Sequence, residues 1–126
     1  MKNLTVATTA FLAGAFVCGI AIYAQGAAKA DPVKIDSKHY KVELENDSVR
    51  VLRVSYAPGE KSVMHSHPKT LAVFLTDGTS KMTTPDGKSQ EVPIKAGTVQ
   101  FREAGSHLPE NVGKAPFQVI VVELKK

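Results

Sequence analysis

Short runs of alternating apolar and polar residues dominate the chain from Tyr40 onward. Turn-forming residues separate these runs at intervals of about 8–12 residues, a spacing typical of β-sandwiches and barrels. No apolar stripe with the 3.6-residue helical period persists for three turns, so we expect little helix. The predicted strands are Tyr40–Leu44, Val49–Tyr56, Lys61–His67, Leu71–Thr76, Ser80–Thr84, Ser89–Ile94, Thr98–Glu103, His107–Val112 and Phe117–Leu124.

Turn dipeptides and one very apolar run refine this all-β prediction. Asp77-Gly78 and Asp86-Gly87 predict tight hairpins, because glycine accepts the positive φ angle that such turns need. The last run, Phe117–Leu124, is too apolar for a strand with one solvent-facing side, so we interpret it as the central strand of a closed or double sheet. The core would be modest in area, and a possible homodimer that covers an open sheet edge would add to it.

The N-terminal segment has the composition of a secretory signal peptide. Lys2 makes its start positive, residues 6–24 are apolar or neutral, and Ala28-Lys29-Ala30 forms an A-x-A cleavage pattern. The alternative is an uncleaved inner-membrane anchor, because the apolar stretch just reaches the roughly 20 residues that span a bilayer. We expect residues 1–30 to be a signal peptide and residues 31–126 to form a periplasmic or secreted domain, with membrane contact only if the segment is uncleaved.

Charge and cysteine content exclude several classes of function. The chain has 16 Lys and Arg against 12 Asp and Glu, and without Lys2 and Lys29 the ratio is 14 to 12. No cluster of basic residues with interleaved aromatics remains, so nucleic acid is not an expected partner. The single cysteine, Cys18, falls in the predicted signal peptide, which leaves the mature domain without thiol chemistry or disulfides.

Three of the four histidines have a spacing that suits a metal site. His65 and His67 are two residues apart in a predicted strand and therefore project from the same face. His107 comes 40 residues later and could complete the set from a neighbouring strand. Neutral imidazole binds Zn, Cu, Fe and Ni alike, and three protein nitrogens leave positions open for water or substrate. A pair of surface histidines is the alternative interpretation of the first two.

The residues around these histidines resemble the two motifs of the cupin superfamily. The first motif, G-x5-H-x-H-x3/4-E-x6-G, is matched from Gly59 to Gly78 at every fixed position except the glutamate, where Leu71 stands. The second motif, G-x5-P-x-G-x2-H-x3-N, is matched from Gly97 to Asn111, with a glutamate for the proline and one residue missing before the histidine. The resemblance extends over nearly the whole expected mature chain.

This resemblance implies a double-stranded β-helix, the cupin jelly-roll barrel, with one divalent transition metal held inside by His65, His67 and His107. It does not distinguish Cu, Zn, Fe, Mn and Ni. A three-histidine site without the family glutamate leaves the charge of the ion uncompensated, which favours an anionic co-ligand or substrate. Three-histidine members occur among the thiol dioxygenases, so catalysis stays possible. Glu103 and Glu110 lie near His107 in sequence, but we expect both to be solvated.

Other side chains lie on predicted strands that would line the barrel. Gln100 and Arg102 share a strand face, and an inward Arg102 would suit a carboxylate substrate, whereas an outward pair fits the sequence equally well. Met64 and Met82 are expected to fill gaps in the core rather than to bind an ion. His39 is expected to be an ordinary exposed histidine. The candidate pocket residues are Tyr56, Phe74, Gln100, Arg102 and Asn111.

Three functions stay open on this evidence. The first interpretation is an exported metal-binding cupin of unassigned activity with a small-molecule ligand. The second is a metal-dependent oxidoreductase of the dioxygenase type that acts on a small organic substrate, although no general base or paired carboxylates stand out. The third is a structural barrel with a vestigial site, which the intact histidine set disfavours. Fold alone does not choose among them, because one barrel hosts many chemistries.

Overall fold

The computed structural model describes residues 30–126, so the predicted signal peptide lies outside the described residues except for Ala30 and stays a prediction. Within this range one short helix precedes nine strands, and no helix there has the length and apolarity that a membrane crossing requires. The elements are α1 (Pro32–Ile35), β1 (Tyr40–Glu45), β2 (Val49–Tyr56), β3 (His65–His67), β4 (Thr70–Phe74), β5 (Gly78–Thr83), β6 (Ser89–Ile94), β7 (Val99–Arg102), β8 (Gly105–Asn111) and β9 (Phe117–Leu124).

The strands form two antiparallel sheets, with the orders β1-β2-β9-β4-β7 and β3-β8-β5-β6. This confirms the all-β prediction and the double-stranded β-helix, and β9 is the central strand of the larger sheet, as expected from its apolar sequence. β3 pairs only with β8 in the smaller sheet, and the pairing joins segments some 40 residues apart in the chain. The two histidine-bearing segments are therefore neighbours in space.

The core lies between the sheets and is built by strict alternation along β2 and β9. Every second residue of β2, from Leu52 to Tyr56, is at most 4% exposed, and Phe117 and Val119 of the neighbouring β9 lie beside them on the same face of the sheet. The same alternation places Glu123 inside, with 3% of its surface exposed. A charged residue is thus buried at the end of β9 and needs partners there, since an unpaired buried charge is costly.

One of the two predicted hairpins is present and the other is wrong. Asp86-Gly87 forms the turn between the paired strands β5 and β6, with Gly87 at φ 83°. Asp77-Gly78 instead lies where the chain passes from the larger sheet to the smaller one, so its flanking strands do not pair. Glycine is needed at position 78 for space, because a Cβ atom there would lie 3.2 Å from the Phe117 side chain.

The prediction that His39 is exposed is also wrong, since only 6% of its surface is accessible. Its ring stacks on Tyr56 with 4.4 Å between the ring centroids. Its two ring nitrogens contact Asp36 at 2.8 Å and Glu60 at 3.1 Å. His39 is buried because the β1–β2 pairing extends one residue further than the sequence suggested, with the Ser55 amide donating to the His39 carbonyl at 3.1 Å.

The segment before β1 is fastened to the barrel beside β3. Asp31 caps α1 by accepting from the Val33 amide, and both of its carboxylate oxygens accept from Arg50 of β2 at 2.9 and 3.0 Å. The Ser66 amide of β3 donates to the Ala30 carbonyl at 2.9 Å. The segment before β1 therefore stabilises β3, the short strand that carries two of the three histidines.

We predict that Asp31→Ala lowers the free energy of unfolding by about 1 kcal/mol or somewhat more, because it removes both a helix cap and an ion pair. Asp31→Asn keeps the cap and should cost less. Urea unfolding monitored by circular dichroism measures both changes. Asp47→Ala, at an exposed aspartate in the β1–β2 turn, is the control and should change little. An equal loss in Asp31→Ala and Asp47→Ala would contradict the assignment.

The same pair predicts a pH dependence. Hydrogen bonds from Arg50 hold the pKa of Asp31 below its ordinary value, so the native state favours the ionised carboxylate. Its stabilisation is present above the unfolded pKa of about 3.9 and is lost as pH falls through the lower folded pKa. The stability difference between the wild type and Asp31→Asn should therefore shrink as pH drops below about 4. A difference that stays constant from pH 7 to pH 2.5 would refute this.

Candidate metal centre

The pairing of β3 with β8 brings the three predicted histidines together. In its register His65 lies opposite His107, and His67 lies opposite Gly105. His65 and His67 occupy the two ends of a three-residue strand, so alternation turns both side chains to the same side. Nitrogen atoms of the three rings all lie within 4.8 Å of one another.

The distance between two of these nitrogens matches that of neighbouring ligands on one ion. Nε2 of His107 lies 3.1 Å from Nε2 of His65. Metal–imidazole bonds of roughly 2.0–2.1 Å at tetrahedral or octahedral angles would place two nitrogens about 3 Å apart. The three ring centroids are 4.8 to 5.2 Å apart, with steeply inclined planes. The donor set therefore fits a single small divalent cation.

Hydrogen bonds on the far side of two rings fix which nitrogen is free. Nδ1 of His65 donates to the Val63 carbonyl at 2.8 Å, and Nδ1 of His67 donates to the Glu123 carboxylate at 2.6 Å. Each ring therefore carries its proton on Nδ1 and its lone pair on Nε2. Carbonyl or carboxylate partners of this kind orient metal-binding histidines and raise their basicity.

Burial keeps two of the imidazoles in the neutral form that binds metals. Desolvation lowers the pKa of His65 to about 4. Desolvation, together with the neighbouring His65 and His67, lowers the pKa of His107 to about 2. Because these imidazoles are neutral near pH 7, an ion would not have to displace protons from them.

Glu123 is the functional residue that sequence analysis missed. Burial alone would raise its pKa, but hydrogen bonds with His67 and Arg50 bring the pKa below its ordinary value. Arg50 Nε donates to Oε2 at 2.5 Å while His67 contacts Oε1. The signal was available, because Glu123 is the only acidic residue in the apolar β9 run and shares the inward face with Phe117 and Val119.

Glu103, one of the carboxylates considered from sequence, borders the cavity beside the histidines but is not part of their cluster. The Glu103 side chain is 73% exposed and lies 3.8 Å from Lys69. Leu71, at the family glutamate position for the shorter motif spacing, is on the outer face opposite Phe101. Ala72, the position given by the longer spacing, is buried and lines the cavity. The inward position thus carries a methyl group, and no carboxylate enters the site from β4.

A pair of tyrosines adjoins the histidines from the core side. The Tyr40 hydroxyl donates to Nε2 of His65 at 3.0 Å and accepts from the Tyr56 hydroxyl at 2.8 Å. Burial raises the pKa of both phenols, so they are uncharged near neutral pH. Tyr40 and an ion would use the same lone pair of His65, which makes this phenol part of the immediate surroundings of the centre.

Two cavities with shared lining residues adjoin the centre, an outer cavity of about 380 Å³ and an inner chamber of about 70 Å³ that is lined by core residues. Tyr56, Phe74 and Arg102 line the inner chamber, and Gln100 and Arg102 line the outer cavity. Both side chains of this pair therefore point into the barrel mouth, where Arg102 Nη2 donates to Gln100 Oε1 at 3.1 Å.

The structure places Asn111 outside the cavity lining, which corrects the expectation that it lines the pocket. Its amide is fully buried, donates to the carbonyls of Tyr56 and Ala115, and accepts from the Gly113 amide. Asn111 therefore shapes the loop after β8. Met82 lines the cavity, and its sulfur accepts from the Ser80 hydroxyl at 3.4 Å.

Known proteins with similar sequences and folds place this arrangement in context. A family model described as Cupin domain matches residues 52–123. The chain is 38% identical over 84 residues to the beta-alanine degradation protein BauB of Pseudomonas aeruginosa, covering 65% of this chain and 85% of BauB.

Solved structures show the same fold. A cupin domain from Bordetella pertussis aligns with a TM-score of 0.65 at 26% identity, over 69% of this chain and 92% of that one. A predicted oxalate decarboxylase from Thermotoga maritima aligns with a TM-score of 0.50 at 28% identity, over 68% and 78%.

We predict that Glu123→Gln weakens binding of added Zn²⁺ by about 10- to 100-fold, because it removes the charged acceptor that orients His67. Competition with a chromophoric chelator measures the affinity. Glu91→Gln, at an exposed glutamate of β6 that lines neither cavity, is the matched control and should bind like the wild type. Circular dichroism confirms that the variant is folded, since Glu123 also pairs with Arg50. Unchanged Zn²⁺ affinity in folded Glu123→Gln would contradict this role.

Proposed function

This chain belongs to the cupin family, and we propose that it is an exported cupin that binds one divalent transition metal through His65, His67 and His107. The observation that carries the proposal is the 3.1 Å approach of the Nε2 atoms of the buried His65 and the half-buried His107, with the third histidine within 4.8 Å. Neutral nitrogens at this distance repel unless a proton or a cation lies between them, and a cation serves all three.

The surroundings of the rings support binding rather than simple packing. Nδ1 of His65 and Nδ1 of His67 donate to Val63 and Glu123, so the lone pair of each ring is on Nε2, and Nε2 of His65 also accepts from Tyr40. Three imidazoles grouped at one point bring several nitrogen lone pairs close together, which is unfavourable when no proton or cation lies between them. An ion would compensate that cost directly.

The donor set constrains the ion but does not select one. Imidazole nitrogens suit Cu²⁺, Zn²⁺, Fe²⁺, Ni²⁺ and Mn²⁺ to different degrees, and outside the cytosol the intrinsic affinity order favours Cu²⁺, with Zn²⁺ next. The predicted signal peptide supports export to the periplasm or beyond. An exported chain would acquire its metal by affinity and availability in that compartment.

The alternative function is a metal-dependent oxidoreductase of the dioxygenase type. The cavity of about 380 Å³ beside His67 and His107 supports it, because a pure metal store has no need of a chamber for an organic molecule. A bound ion would supply Lewis-acid or redox chemistry. The chain itself would orient the substrate, and the apolar side chains Met82 and Val92 would limit water in the cavity.

The names of two relatives concern small carboxylic acids, β-alanine in one and oxalate in the other. This supports testing such molecules as substrates of the present protein. Oxygen consumption and product analysis with thiols, phenols, diketones, oxalate and β-alanine would separate an enzyme from a binder. Turnover that requires the metal would favour the alternative function.

Metal analysis of protein purified from its native compartment tests the main proposal. We expect the wild type to hold close to one equivalent of a transition metal and the His65→Ala/His67→Ala variant to hold almost none, since two of three ligands are gone. Lys88→Ala/Gln90→Ala, a double variant at exposed positions of the β5–β6 hairpin, is the control and should keep its metal. Equal metal content in the wild type and the double variant would refute the proposal.

A further inference from the structure

Among residues 30–126, Arg102 differs from the other two arginines in forming no salt bridge with a carboxylate. Arg50 pairs with Asp31 and Glu123, and Arg53 pairs with Glu43. Among residues 30–126 no aspartate or glutamate lies within 4 Å of the Arg102 guanidinium, whose side-chain hydrogen-bond partner there is the neutral Gln100. Within residues 30–126 its charge is therefore not neutralised by an ion pair, and Glu103, which also lines the outer cavity, is exposed and lies 3.8 Å from Lys69.

Arg102 lies at a place in the barrel where a charge without an anionic partner is unfavourable. The side chain lies inside the barrel mouth and lines both parts of the cavity together with His67 and His107. Burial lowers its pKa, and its charge is one of the influences that lower the pKa of His107. A permanently charged guanidinium at such a place loses hydration, which is unfavourable unless an anion replaces the lost water.

The shape of the group identifies the class of anion. A guanidinium offers five N–H donors in a planar fork, and Gln100 uses one of them. The remaining donors suit the two oxygens of a carboxylate, bound side by side. The adjoining walls include the apolar side chains of Met82 and Val92, so the cavity accommodates a short carbon chain beside the charged group.

We propose that the cavity binds a small carboxylic acid, with its carboxylate held by Arg102 and its other end directed to His65, His67 and His107. The inference deepens the proposed function and rests on it for the second contact. Arg102 is then the residue that determines the charge class of the ligand. Neutral molecules of the same size would leave the guanidinium without a partner and should bind poorly.

Binding of carboxylates and their amides to Co²⁺-loaded protein tests this inference. The probes are acetate, propanoate, malonate and benzoate, each with its neutral amide, and inorganic phosphate. Calorimetry and the visible Co²⁺ spectrum measure binding without requiring turnover. We expect at least one carboxylate to bind more tightly than its amide, and Arg102→Gln to weaken it by about 10- to 100-fold.

Matched variants make the result specific. Arg102→Lys keeps the charge without the fork and should recover part of the affinity. Arg53→Gln, the same change at an outward arginine paired with Glu43, should bind like the wild type. Preference for amides or phosphate over every carboxylate, or equal affinity in Arg102→Gln and the wild type, would overturn the inference.

The two proposals fail separately. If Arg102→Gln retains metal but carboxylate binding does not depend on Arg102, only the ligand inference is lost. If the wild type binds no metal, the same carboxylates are titrated into metal-free wild type and metal-free Arg102→Gln. Arg102-dependent binding there would keep the anion site and refute the metal centre, and its absence would refute both.

Discussion

The register between β3 and β8 is the constraint on which the candidate centre depends. β3 has three residues, and a shift of one position would turn both of its histidines away from the interior. The Ser66 hydroxyl bonds the Ser106 hydroxyl at 2.6 Å directly across the pair, and an isolated bridge between Lys61 and Glu110 continues the pairing. Such a short strand gains its stability from these neighbours, because three residues of ladder provide little by themselves.

A chain of charged groups links that strand to the body of the barrel. Asp31 binds Arg50, Arg50 binds Glu123, and Glu123 accepts from His67. Each carboxylate in this series is stabilised as an anion by the arginine between them, and Glu123 in turn fixes the ring of His67. The three histidines and the segment before β1 are therefore linked by one series of charged groups, so changes in that segment can affect His67 without contacting it.

Much of this architecture follows from the alternation of apolar and polar residues along the strands. The rest depends on which strands pair and which side chains meet, and alternation does not determine either. The two-residue repeat of side-chain direction predicted nine strands and placed His65 and His67 on one face. It could not decide whether Arg102 points inward, because that depends on which sheet covers β7. Asp77-Gly78 was misjudged since a turn dipeptide does not say whether its flanking strands share a sheet. Glu123 was overlooked because the Phe117–Leu124 segment was interpreted as uniformly apolar. Its position in the strand alternation, on the same face as Phe117 and Val119, already predicted that it points into the core.

Two residues of the cavity act in the same electrostatic direction. Ala72 stands at an inward position where the longer motif spacing would place a glutamate, so the cavity lacks one negative charge. Arg102 adds a positive charge at the mouth and forms no ion pair within residues 30–126, since the nearby Glu103 of the outer cavity is exposed and lies 3.8 Å from Lys69. The negative charge of Glu123 does not offset them, because it is shared between Arg50 and His67. A divalent cation at the histidines would raise the positive potential of the cavity further, which favours the entry of an anion from solution.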